Sequence, residues 1–181
     1  AQAMIKQARY LSNTIDDFRN FFQPDKKKEL ISPEKIIENC FELMGKSLEN
    51  NNIKVTRQCS CQSELLLYAH EAMQVFLNIL KNAQEALLDN REHDREVIII
   101  INETDSHIDT IICNNGGKID DKIITQIFEP YFSTKGKKNG TGLGLYMSKI
   151  IIEQHMDGKI SAFNEQENAC FKVSFSKYTN G

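Results

Sequence analysis

The chain has 181 residues, 40% of them hydrophobic and 26% charged, with a formal net charge of −3. That length suits one domain with a sizeable core plus an appendage, and the charge balance excludes the basic surface of a general nucleic-acid binder. No apolar run approaches the roughly 20 residues that cross a bilayer and no signal peptide is visible, so no membrane insertion of this chain is expected.

Met4, Ala8, Leu11, Ile15, Phe18 and Phe22 recur in steps of four and three, the seam of a coiled coil or helical bundle. The seam stops at Pro24, inside Gln23-Pro24-Asp25-Lys26-Lys27-Lys28, where proline and a charge run mark a hinge. The chain thus divides into a separate, self-associating helix over 1–22, a hinge over 23–29 and a globular domain over 30–178.

Ser32-Pro33-Glu34 opens a helix with a capping hydroxyl, a first-turn proline and an early acid. Ile36, Ile37, Cys40, Phe41, Met44 and Leu48 are its apolar face, and Asn50-Asn51-Asn52 ends it. Residues 53–57 and 64–68 read as strands, 70–88 as a long helix, 97–101 and 107–113 as a strand pair, and 120–127 as a short helix. Residues 133–139 are polar and lysine-rich, the composition of a mobile loop. A helix over 146–155 and closing strands over 159–163 and 169–176 complete the domain. Helices on one face of a mixed, mostly antiparallel sheet give an α+β fold, a two-layer α/β sandwich.

Five cysteines are an odd number, and Cys59 and Cys61 lack zinc-ribbon spacing. All five read as free thiols in a reducing compartment. The histidines His70, His93, His107 and His155 are scattered and form no ligand pattern.

Two segments point to chemistry. Gly140-Thr141-Gly142-Leu143-Gly144-Leu145 places glycines at alternate positions before a helix, with Phe128-Glu129-Pro130-Tyr131-Phe132-Ser133-Thr134-Lys135 ahead of it. Glycines admit close backbone approach, a helix start presents free N–H groups to anions, and Lys135 supplies a cation. This is a phosphate cradle. Earlier, Val75, Leu77, Ile79, Leu80, Ala83, Ala86 and Leu87 make an apolar helix on which Asn78 and Asn82 stack one turn apart, joined by Glu85. Asparagine is a middling helix former, so two on one face suggest polar work.

With Asn114-Asn115-Gly116-Gly117 between them, these segments stand in the order of the N, G1, F and G2 boxes. The stretch from Ser32 to Ser176 resembles the catalytic ATP-binding domain of sensor histidine kinases, which has the Bergerat fold. Residues 11–22 resemble the end of that family's dimerisation helix. The resemblance implies a cytoplasmic protein kinase using ATP and Mg2+. It leaves open whether the parent protein is anchored in the inner membrane.

In that light Asn82 matches the family's Mg2+ ligand, a hard amide oxygen suited to this cation. Asn78 faces the same cluster as polar support. Asn114 stands where the family has the aspartate that accepts from the adenine amine, with Gly116 in the turn beside it. An amide oxygen still accepts, but without charge assistance, a loss on the order of 1 kcal/mol. Lys118 replaces a second glycine of that box. Phe128 and Phe132 anchor the loop, Thr134 and Lys135 approach the terminal phosphates, and Gly140, Thr141, Gly142, Leu143 and Gly144 wrap them. Residues 133–139 then form a lid that orders on nucleotide.

The resemblance implies γ-phosphoryl transfer, with Asn78, Asn82 and Lys135 as the catalytic set. ATPases of the same fold carry a water-activating glutamate four residues before the metal-binding asparagine. Here that position is Asn78, which cannot act as a base. A degenerate binding module, favoured by Asn114 and Lys118, is the other alternative. The family's phospho-acceptor histidine has no counterpart in 1–22, and His70 belongs to the catalytic domain. The chain therefore reads as a fragment that acts on an acceptor histidine domain elsewhere. The resemblance further implies a homodimer through the N-terminal helix and a response regulator as the next partner. The loop spacing is most like that of nitrogen- and dicarboxylate-sensing kinases.

Overall fold

The computed structural model describes residues 27–90, 94–134 and 141–177. The expected dimerisation helix over 1–22, most of the hinge, and the lid positions 135–139 lie outside them. Among the described residues no helix is long and apolar enough to cross a membrane.

Helix α1 (Pro33–Asn50) begins where the sequence places it. The Ser32 hydroxyl accepts from the Lys35 N–H at 3.1 Å, and Pro33 occupies a turn where no N–H is needed. Strand β1 (Glu29–Ile31), just before it, pairs antiparallel with β3 (Leu65–Leu67). The sequence reading has no β1, because three residues are too few to display a period.

Helix α2 (Ala69–Asp89) buries Ala72, Val75, Phe76, Ile79, Leu80, Ala83 and Leu87. It is the crossover between β2 (Lys54–Ser60) and β4 (Glu96–Glu103), which run parallel; parallel neighbours require so long a connection. Strand β5 (His107–Asn114) follows β4 antiparallel. Strands β6 (Lys159–Glu165) and β7 (Asn168–Ser176) complete a sheet ordered β2-β4-β5-β7-β6. Alternate residues of the central strands (Val97, Ile99, Ile101; Ile108, Thr110, Ile112; Phe171, Val173, Phe175) are buried. The hydrophobic core lies between them and the helices, which is the expected two-layer sandwich.

Three expectations need correction. Residues 120–127 form turns, not a helix: Ile123 and Gln126 bond three residues back, Ile124 and Ile127 four back. None of residues 120–127 is fully buried, so no packed apolar face holds the segment in a regular helix. The helix expected over 146–155 is α3 (Gly144–Ile150), continued by a π-helical turn over Ile151–His155. The widened turn keeps Ile151 and Ile152 in the core and sets His155 Nδ1 3.0 Å from the buried Glu71 carboxylate. Finally, Cys40, Cys59 and Cys61 are free, but Cys113 and Cys170 are joined in a disulfide. The β5–β7 register sets those two directly opposite, a pairing that residues 57 apart in sequence do not advertise. Burial pushes the Cys40 thiol up to about 12, which leaves it inert.

Candidate functional site

Asn78, Asn82 and Ala86 occupy successive turns of one stripe on α2, roughly 12 Å of helix axis from first to last. Backbone from two distant segments closes on its ends. At the first, a Cβ on Gly144 would lie 2.6 Å from Oδ1 of Asn78. At the other, a Cβ on Gly116 would lie 2.7 Å from the Ala86 carbonyl carbon and 2.8 Å from the Leu87 nitrogen. At Gly116 the neighbouring atoms are helix backbone and only glycine allows the approach; at Gly144 a side chain would have to displace the Asn78 carboxamide. Asn82 lies between the two contacts. It is half-buried, and its carboxamide makes no hydrogen bond with any described residue. An unengaged amide oxygen in that position is a hard donor of the kind Mg2+ takes.

Around Asn78 the contacts are polar. Its Nδ2 donates to Ser148 Oγ at 3.0 Å, and that hydroxyl donates to the Gly144 carbonyl at 3.0 Å. Thr141 Oγ1 accepts from the Leu143 N–H at 3.2 Å, which fixes the turn into α3. Gly142 has φ +65°, and a Cβ there would meet the Tyr131 carbonyl carbon at 2.4 Å. The Tyr131 N–H bonds to the Gly142 carbonyl at 2.9 Å. That bond joins the chain on either side of residues 132–141 into a neck. Phe132 is half-buried, and Thr134, the last described position before residue 141, is exposed. Lys135 and Gly140 lie outside the described residues.

Around Gly116 the contacts belong to the sheet. Asn114 ends β5 and is 3% exposed. Its Oδ1 accepts from the Gly116 N–H at 3.0 Å, and its Nδ2 donates to the Ala169 carbonyl at 3.4 Å. Asn115 ties the turn to β4: its Oδ1 accepts from the Glu96 N–H at 2.8 Å, and its Nδ2 donates to the Asp94 carbonyl at 2.6 Å. Lys118 points to the surface and pairs with the exposed Glu167 at 2.7 Å, a pair of small energetic weight. Phe128 is buried edge-on against Phe171, ring centroids 6.4 Å apart, and anchors the start of the neck segment.

A cleft of about 410 Å³ opens between α1, α2 and α3. It shares Asn78, Thr141, Leu143 and Gly144 with the expected site, while Asn82 and Asn114 do not line it. The structure thus brings Asn78, Thr141, Leu143 and Gly144 together at one end and Asn114 and Gly116 at the other. Sequence reasoning misses Ser148 and Tyr131. The serine's only signal is its spacing of four from Gly144, and no pattern foretells the left-handed Tyr131, with φ 64°.

The family described as histidine kinase-, DNA gyrase B-, and HSP90-like ATPase matches residues 68–179. The two-component sensor PprA of Pseudomonas aeruginosa is 32% identical over 147 residues, 78% of this chain and 16% of that protein. Sporulation kinase A of Bacillus subtilis is 30% identical over 159 residues, 86% of this chain and 25% of that protein. The chain therefore spans a quarter or less of these relatives. Among solved structures, the catalytic domain of the histidine kinase ThkA superposes with a TM-score of 0.74 at 24% identity, covering 83% of this chain and 98% of that one. ThkA in complex with the response regulator protein TrrA gives 0.79 at 18% identity, covering 97% of this chain and 50% of that one. These likenesses establish the fold.

Proposed function

This chain belongs to the family of histidine kinase-, DNA gyrase B- and HSP90-like ATPases, and we propose that it is the ATP-binding catalytic part of a two-component sensor histidine kinase. The observation that carries the proposal is the α2 stripe, with Asn82 unengaged between two glycine-made approaches. The nucleotide lies along that stripe, base toward Asn114 and Gly116, phosphates toward Asn78 and Gly144. Asn114 Oδ1 keeps a lone pair for the adenine amine beside the one used by Gly116. Thr141, Gly142 and Leu143 turn backbone toward the phosphates, and the order of the sequence motifs assigns Lys135 and Gly140 to the same phosphates.

Asn82 holds Mg2+ through its amide oxygen, and Asn78 supports it from one turn away. When bound, the ion neutralises charge on the terminal phosphates. The chain's own part is positioning. Asn78 is an amide where hydrolytic relatives use a base, so water is not activated and the γ-phosphoryl group goes to a histidine. That histidine lies on a dimerisation helix, and the apolar seam in the sequence of residues 1–22 supports a cytoplasmic, homodimeric parent protein. A response regulator receives the phosphoryl group, the class of partner seen with ThkA.

A degenerate module that retains the fold without transfer is the second reading, favoured by the engagement of both sides of Asn114. Incubation with γ-labelled ATP separates the two. The chain is expected to bind Mg-ATP, to leave its own histidines unlabelled, and to label a longer version of the protein that carries the dimerisation helix with its histidine. Absence of binding at millimolar ATP would favour the degenerate module, and strong label on the chain itself would refute the assigned acceptor.

A further inference from the structure

Ser148 is one of four buried polar or charged residues among those described, at 2% exposure. A hydroxyl carries one proton. Its Oγ lies 3.0 Å from the Gly144 carbonyl, which can only accept, and 3.0 Å from the Asn78 amide. The proton therefore goes to Gly144, and the serine oxygen must accept from Asn78. Of the two ends of a carboxamide only the NH2 can donate, so Asn78 turns its nitrogen to Ser148. The amide oxygen is left against Gly144, where it would crowd a Cβ to 2.6 Å. It makes no hydrogen bond with any described residue.

We infer that Ser148 is a positioning residue that fixes the orientation of the Asn78 amide, holding its oxygen toward the glycine turn as a second acceptor for a hydrated divalent cation beside Asn82. The inference rests on the Mg-ATP reading above. A reversed amide would set two N–H groups toward the same cation, which Mg2+ and its waters reject. Back-bonding of a helical serine to the carbonyl four residues earlier is common, so the test must read the cation and not stability alone.

The test is a Mg2+ titration of the binding of a non-hydrolysable ATP analogue, followed by calorimetry, with adenosine as the control ligand. Ser148→Ala is expected to raise the Mg2+ midpoint on the order of tenfold, the usual effect of removing a group that orients a metal site, with adenosine affinity unchanged. Ser148→Thr keeps the hydroxyl and restores the midpoint. In an Asn78→Asp background both ends are oxygen, so adding Ser148→Ala leaves the midpoint where Asn78→Asp alone put it. An unshifted midpoint in Ser148→Ala would overturn the inference, as would an equal loss of adenosine affinity, or a midpoint that moves as far in the Asp background as in the wild type. Wild-type protein that binds the analogue with no dependence on Mg2+ would instead remove the nucleotide reading on which the inference stands.

Discussion

At the Asn78 end of the α2 stripe a half-buried carboxamide bonds to one serine and keeps its oxygen toward a glycine turn. At the Gly116 end a second carboxamide, Asn114, is buried and engaged on both sides, by Gly116 and by Ala169. The first end is assembled from helices and a loop neck, the second from paired strands. The Gly116 end is therefore largely committed by its own hydrogen bonds, whereas Asn82 and the Asn78 amide oxygen remain unengaged by any described residue. On the proposed reading, nucleotide affinity should accordingly depend more on the Asn78–Asn82 end than on Asn114.

The neck is where that contrast breaks most readily. Gly142→Ala forces a side chain into the left-handed region, at about 1–2 kcal/mol, and drives its Cβ into the Tyr131 backbone. Urea denaturation should register a loss above about 2 kcal/mol, and nucleotide binding should weaken while the sheet signal in circular dichroism persists. A variant as stable as the wild type would mean that the neck is not a constrained junction.

Asn114→Asp sharpens the contrast from the other side. A carboxylate restores charge assistance toward an adenine amine, so ATP binding should tighten several-fold, about 1 kcal/mol. The same change sets an oxygen against the Ala169 carbonyl where an N–H stood, so thermal stability should fall. Tighter binding of ATP but not of GTP would locate the base; equal affinities for wild type and variant would argue that Asn114 does not meet it.

The smallest effect lies away from the stripe. Bonds from Lys177, from the Ser63 hydroxyl and from the Gln62 and Ser63 N–H groups hold the Glu103 carboxyl well below its ordinary value of 4.5. A lowered folded value means that its stabilisation is present above pH 4.5 and is lost as pH falls below that toward the folded value. Glu103→Gln should therefore make acid unfolding shallower below pH 4.5 and leave ATP binding at neutral pH unchanged. An altered ATP affinity would show that the two ends are not independent of this distant tie.

Helices with a clear period and a cap were legible almost to the residue, as α1 and its Ser32 cap show, because the signal lies within the segment itself. The site was legible as residue types and spacing: asparagines one turn apart, glycines at alternate positions. What escaped depends on partners far along the chain. The Cys113–Cys170 bond follows from strand register. Ser148 meets Asn78 only because α3 lies across it. The π turn serves Glu71, which stands 84 residues before His155. The turns at 120–127 carry a helical pattern, but none of those residues is fully buried, and that absence of packing is not visible within the segment.

The central claim is that Asn82, set between the Gly144 and Gly116 approaches, gives this fold its metal-dependent hold on ATP. Calorimetric titration of ATP into wild type and Asn82→Ala, each with and without Mg2+, tests it directly. Wild type should bind ATP more tightly with Mg2+ than without, and Asn82→Ala should lose that gain while keeping its fold and its metal-free affinity. A Mg2+ gain that survives in Asn82→Ala would contradict it.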